Sequence, residues 1–319
     1  MATPQKNLLD PAFLKKLELL KVQARRAFAG IMRGERRSTR KGASVEFADF
    51  RKYEAGDDFR HVDWNIYARL ERLMLRQFVE EEDVRIDLLI DQSRSMRFGQ
   101  PMTKFDFAIR TAAAIAFLAV SGLDRVGLAT FDSALRSKLR AQRGRGHLIS
   151  SFAFLTELSD AIQKDLLATN QLTEEPNSER DKAQKTNLAA VLRAYQQTTS
   201  RAGIVFVISD FFDGSDFRKE MKLLARRGFD VNLIQVLASE ELRPELGGDW
   251  LLIDSETGEE REMTINARIL DAYRAKLSEF TTALEAFART QGIGYLLATT
   301  DLAFEELLLK RLIESRMAG

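Results

Sequence analysis

The chain has no cysteine among its 319 residues. That removes disulfides, thiolate metal ligands and cysteine nucleophiles together, and it fits a reducing compartment. Histidine is nearly as scarce: His61 and His147 are far apart in sequence, and neither falls in a metal-ligand or triad spacing. Long apolar runs are missing too. The longest candidates, around 112–120 and 204–208, fall well short of the ~18–20 residues a membrane-crossing helix needs. The opening MATPQKNLLDPAFLKK lacks the basic-then-apolar order of a signal peptide. These absences predict a soluble, cytoplasmic protein without a membrane span. There is no excess of one charge sign either: 48 Lys and Arg face 47 Asp and Glu, so the global field does not call for a polyanion.

Several catalytic signatures are also lacking. A P-loop needs G-x-x-x-x-G-K-[ST], and GQPMTK at 99–104 lacks the second glycine. No G-x-G-x-x-G follows the first strand candidate, and no G-x-S-x-G elbow exists. RGRGHL at 143–148 offers two glycines ahead of a helix, where an anion can bind, but it reads more simply as a loop. A phosphoryl-transfer site on an α/β sheet wants a second aspartate two residues after the first; here that place holds Ser93, which cannot shuttle a proton at neutral pH. The chain is therefore expected not to be an enzyme, with a Mg²⁺-dependent phosphohydrolase as the rival reading.

What is present begins with one local imbalance. Ten Lys or Arg between Lys15 and Lys41 face only Glu18 and Glu35. This is either the solvated face of a helix whose apolar side carries Phe13, Leu17, Leu20, Ala24 and Phe28, or a patch for nucleic acid or acidic lipid. The first reading is preferred, because no aromatic residues interleave with the charges as a stacking platform requires. Nucleic acid is accordingly not expected as a partner.

From residue 85 onward, short apolar runs alternate with helical segments. Strand candidates are 86–90, 126–131, 204–209, 231–237 and 295–299; helix candidates are 104–120, 147–158, 188–199, 217–227, 267–290 and 302–316. The strands lack polar alternation, which indicates burial on both faces and hence a doubly wound, mostly parallel α/β sheet flanked by helices. A polar stretch at 169–186 reads as a surface loop, and WLLID with REMTI, near 249–265, as an inserted hairpin. Residues 1–84 form an N-terminal helical and hairpin segment, with 85–319 as the α/β domain. In the first segment, Asp58 is expected to cap a short helix, Arg51, Arg60, Asp63 and Arg69 to form a paired network, and Trp64 and Tyr67 to act as apolar anchors.

The chemistry concentrates in RIDLLIDQSRSM, where an apolar run stops at Asp91 and is followed by Ser93 and Ser95. Alternate oxygen donors just beyond a buried strand describe a hard cation such as Mg²⁺ or Mn²⁺, not zinc or copper. Three oxygens are too few, and two further features supply more. GIVFVISD ends on Asp210, again a buried run stopping at a carboxylate, and Thr186 opens a helix after the polar loop, as both cap and ligand. Plainer readings stand beside these: Ser93, Ser95 or Thr186 as caps, Asp210 and Asp213 as turn residues. Arg94 and Arg97 lie beside the mouth, either solvated or meeting an acidic partner.

Asp91, Ser93, Ser95, Thr186 and Asp210 together resemble the metal-ion-dependent adhesion site of von Willebrand factor type A domains. The match extends upstream. Glu46-Phe47, Arg51-x-Tyr53, Gly56-Asp57-Asp58-x-Arg60, Asp63-Trp64 and Ala68-Arg69 ahead of DQSRSM are similar to the bacterial family catalogued as domain of unknown function 58. The resemblance implies that the hydroxyls of Ser93, Ser95 and Thr186 hold Mg²⁺ (or Mn²⁺ or Ca²⁺). It also implies that Asp91 and Asp210 act through water, and that an acidic residue of a partner completes the shell. Such proteins often sit beside MoxR-type AAA+ ATPases, which implies that ATPase or its client as partner.

Overall fold

The computed structural model describes residues 13, 15–19, 46–54, 57–79, 84–171, 186–199, 201–254 and 259–302. The basic stretch beyond residue 19, most of the polar loop, the hairpin turn at 255–258 and the helix candidate beyond 302 lie outside them. The described residues fall into two compact units, one between 46 and 79 and the other comprising the remainder.

In the smaller unit, strand β1 (Glu46–Lys52) pairs antiparallel with β2 (Met74–Val79). Helix α1 (Trp64–Leu70) lies between them and starts at Asp63, whose carboxylate accepts the N–H groups of Asn65 and Ile66 that a helix start leaves unpaired. Asp58 caps the 3-10 turn Phe59–His61 in the same way. The expected charge network is arranged differently: Arg51 pairs with Asp57 at 2.6 Å and Arg60 with Asp58 at 2.8 Å. Trp64 and Tyr67 meet edge to face on this helix, and within the unit burial falls to Val62 and Leu75.

The larger unit contains β3 (Arg85–Asp91), α2 (Lys104–Ser121), β4 (Arg125–Phe131), β5 (Leu135–Gln142), α3 (Arg145–Gln171), α4 (Leu188–Thr198) and β6 (Ile204–Ser209). It continues with α5 (Phe217–Arg226), β7 (Asp230–Leu237), α6 (Ser239–Leu242), β8 (Gly248–Ile253), β9 (Glu260–Ile265), α7 (Ala267–Thr290) and β10 (Gly294–Thr299). Six strands form one sheet in the order β10-β7-β6-β3-β4-β5. All neighbours are parallel except β4 with β5. This is the doubly wound α/β architecture, and β8 with β9 is the separate antiparallel hairpin. Strand β5 escapes sequence reading: LRSKLRAQ is an edge strand, largely exposed, whose charges keep the open edge from pairing with another chain.

Side chains alternate across β3. Ile86, Leu88 and Ile90 enter the core beneath α2 and α3, and Leu89 enters the core on the opposite face, beneath α4. Burying each such side chain is worth about 1.5–3 kcal/mol. Helix α2 packs closely because its middle is Thr111-Ala112-Ala113-Ala114, with Thr103 as its cap. Phe13 and Leu17, from the stretch that the sequence assigns to the N-terminal segment, are buried in the α2-side core. Among the described residues no helix is long and apolar enough to cross a membrane.

Candidate metal centre

The chain runs from β3 to β4 and β5 on one side, then returns to β6, β7 and β10 on the other, so strand order reverses between β3 and β6. At such a point the loops leaving two adjacent parallel strands diverge and open a crevice beyond their carboxyl ends. Asp91 is the last residue of β3, and Asp210 follows the last residue of β6.

Both carboxylates are buried, each 1% exposed. Asp91 accepts the Ser93 N–H on Oδ1 at 2.8 Å and the Ser209 hydroxyl on Oδ2 at 2.5 Å. The Ser93 and Ser95 hydroxyl oxygens lie 3.0 Å apart. Neither serine caps a helix: the turn Ser95–Arg97 has no side-chain cap bond, and α2 is capped by Thr103. Gly99 provides the bend between them at φ +116°, where a Cβ would come within 2.8 Å of the Met102 carbonyl.

Asp210 is held from the other side. Its Oδ1 accepts the Phe212 N–H at 3.0 Å, and its Oδ2 accepts the ammonium of Lys104 at 2.8 Å. Lys104 is fully buried and also donates to Glu241 Oε1 at 2.6 Å, while the other oxygen of Glu241 takes the Ala238 N–H. The start of α2, the end of β6 and the start of α6 are thus tied through one ammonium. Phe211, next to Asp210, is buried at φ +61°, a left-handed conformation in which a side chain is strained. Burial pushes Asp91 up to about 7, the Asp210 charge adds to this, and the hydrogen bonds from Ser209 and Ser93 oppose it. Burial also raises Glu241, with Lys104 opposing.

Thr186 sits just before α4. The cap there is Asn187, whose Oδ1 accepts the Ala190 N–H, so the expectation that Thr186 caps this helix is corrected. An Asn one position later reaches the same unpaired donors. Asp213 fixes the helix start by accepting the Leu188 N–H at 2.6 Å and the Ser215 hydroxyl, which brings the loop after β6 to the beginning of α4. The level of this helix start along β3 follows from Tyr195, whose hydroxyl reaches Asp87. Eight residues of helix back from Tyr195 to Asn187 cover about 12 Å. Four residues of strand from Asp87 to Asp91 cover about 13 Å. The start of α4 therefore lies toward the Asp91 end of β3, where the Asn187 N–H also reaches the carbonyl of Asp132, just beyond β4, at 3.3 Å.

Three contributors to this site were missed by sequence reasoning: Ser209, Lys104 and Glu241. Lys104 carried a usable signal, because a lysine opening an apolar helix opposes the helix dipole and needs a compensating anion. Arg97, expected at the mouth, is drawn to Asp165 at 2.6 Å. His147 donates its Nε2–H to the Val126 carbonyl at 2.6 Å and is part of the core, not of the site.

Among the described residues no three His, Cys, Asp or Glu side chains converge in ligand geometry. Every carboxylate oxygen of Asp91 and Asp210 already accepts a hydrogen bond. A hard cation here would therefore rest on hydroxyl oxygens, with the carboxylates acting through water, and the Ser93–Ser95 pair fits that arrangement. The charge balance fits as well: Asp210 and Glu241 share the ammonium of Lys104, while buried Asp91 is bonded to the Ser93 amide and the Ser209 hydroxyl.

Comparison with known proteins gives three findings. A family model described as protein of unknown function DUF58 matches residues 49–282. Uncharacterized proteins of Mycobacterium bovis and Mycobacterium tuberculosis are each 25% identical over 296 residues, covering 92% of this chain and 86% of theirs. Among solved structures, the conserved hypothetical protein BatB from Bacteroides thetaiotaomicron aligns at TM-score 0.41 and 16% identity, over 74% of this chain and 98% of that one. An aerotolerance-related membrane protein from Bacteroides fragilis aligns at TM-score 0.40 and 15% identity, over 72% and 99%.

Proposed function

The chain belongs to the DUF58 family, and from that premise we propose that it is a cytoplasmic, non-enzymatic adaptor whose Mg²⁺-dependent site, of the metal-ion-dependent adhesion type, grips an acidic side chain of a partner protein. The observation that carries this reading is the pair of Ser93 and Ser95 hydroxyls, 3.0 Å apart, beside buried Asp91 at the point where strand order reverses.

Ser93, Ser95 and Thr186 would hold the ion, and Asp91 and Asp210 would orient its waters. When bound, the cation supplies a Lewis-acidic position for an external oxygen. The chain's own residues position it: Ser209 fixes the Asp91 carboxylate, Lys104 fixes that of Asp210, and Asp213 fixes the start of α4. With the carboxylates set back, the ion keeps residual positive charge, which favours a carboxylate from outside over another neutral ligand. A MoxR-type AAA+ ATPase, or its client, is the partner to test first, as the family resemblance suggests.

The test is recovery of that ATPase from lysate on immobilised protein, with millimolar Mg²⁺ or with EDTA, for wild type and Asp91→Ala. Loss with EDTA and with the variant supports the adaptor reading, and equal recovery in all arms overturns it. Mg²⁺-dependent turnover of phosphate esters that disappears in Asp91→Ala would replace the adaptor by the phosphohydrolase reading.

A further inference from the structure

Lys104 is an unusual residue for its place. It is the first residue of α2, where the helix dipole disfavours a cation, and it is fully buried. Burying an ammonium is costly unless it is matched by charge and hydrogen bonds. Here Asp210 at 2.8 Å and Glu241 at 2.6 Å supply both, and the Phe212 ring lies 5.1 Å away as a third, weaker attraction.

We propose that Lys104 is a built-in counter-ion that sets the cation affinity of the site: by holding Asp210 it withholds one carboxylate from an incoming divalent ion. The inference rests on the metal-dependent reading above and deepens it. Lys104 acts through Asp210 and is a positioning residue. With Asp210 neutralised, an ion on the serine hydroxyls has the Asp91 carboxylate beside it and one carboxylate fewer to draw on. It binds loosely and stays short of negative charge, the condition under which a partner carboxylate is most strongly drawn in. A lysine that merely joined α2 to the end of β6 and to α6 would leave metal affinity untouched or lower it on removal.

The experiment is Mn²⁺ binding to the full chain, followed by electron paramagnetic resonance of the free ion, for wild type, Lys104→Arg and Lys104→Met. Lys104→Met removes the charge but keeps the length. The double variant Lys104→Met/Glu241→Gln is included because it leaves one fewer unpaired buried charge and so guards against misfolding, with circular dichroism reporting the folded state. The expected result is a dissociation constant at least tenfold lower in both methionine variants, and little change in Lys104→Arg. If wild type binds Mn²⁺ and the methionine variants bind equally or more weakly, the counter-ion role is overturned while the adaptor reading survives. If no variant binds Mn²⁺, both fall. If only the methionine variants bind, the lysine is upheld as the native occupant and the metal-dependent adaptor is not.

Discussion

Strand β3 carries two buried aspartates on the same face, four residues apart, and their surroundings differ in kind. Asp87 is closed off by its own chain: Arg85 pairs with it at 2.7 Å and the Tyr195 hydroxyl donates to it at 2.5 Å. The backbone leaves room for it, since a Cβ on Gly127 would come within 2.3 Å of its Oδ1. Asp91 receives hydrogen bonds from an amide and a hydroxyl, while the nearby cation, Lys104, is committed to Asp210 and Glu241. A carboxylate matched by a guanidinium and a phenol locks α4 onto the sheet. One bonded to an amide and a hydroxyl, at the end of the strand where strand order reverses, keeps its charge unmatched by a guanidinium or ammonium.

The contrast is broken most directly by removing the cation at the second aspartate. Lys104→Ala strands Asp210 and Glu241 in the interior and is expected to cost about 3–5 kcal/mol, read as a fall in the urea midpoint. Millimolar Mn²⁺ should recover part of that loss, because the ion can then stand where the ammonium did. The closed cluster should respond differently. Tyr195→Phe removes one hydrogen bond to the Asp87 carboxylate and is expected to cost about 1.5–3 kcal/mol. Here added metal should recover nothing, since Arg85 still neutralises the charge. Recovery of Tyr195→Phe by Mn²⁺, or none in Lys104→Ala, would erase the distinction between the two ends of the strand.

Much of this was legible in the chain. Five parallel strands show themselves because double burial leaves runs such as IDLLID and IVFVIS nearly free of polar alternation, and Asp91 and Asp210 stand out by ending two of them. Strand β5 did not, since LRSKLRAQ has an edge strand's mixture of charge and aliphatic residues and no uninterrupted apolar run. Ser93, Ser95 and Asp91 meet because they are local in sequence. The contacts of Asp210 with Lys104 and of Lys104 with Glu241 span 106 and 137 residues, and no periodicity encodes them. Thr186 shows a third limit: the sequence placed it correctly before a helix, but the choice of Asn187 as cap depends on backbone geometry that composition does not specify.

The last effect concerns protons at Asp91. Its folded carboxyl is raised to about 7, chiefly by burial and then by Asp210, whereas in the unfolded chain it releases its proton near 4. Below about pH 4 the group is protonated in both states and stability is unaffected. Between about 4 and 7 the folded state retains a proton that the unfolded state has lost, so the unfolded state is favoured progressively as pH rises. Above about 7 both forms are ionised and the penalty is constant. In EDTA, wild type should therefore lose stability relative to Asp91→Asn across that window, by at most about 1.4 kcal/mol per pH unit. With Mg²⁺ bound beside the carboxylate, its charge is compensated and the difference should shrink. Urea midpoints at pH 5 and pH 7.5, with and without Mg²⁺, measure it; parallel pH curves for the two proteins in EDTA would mean that Asp91 is as fully matched inside the fold as Asp87.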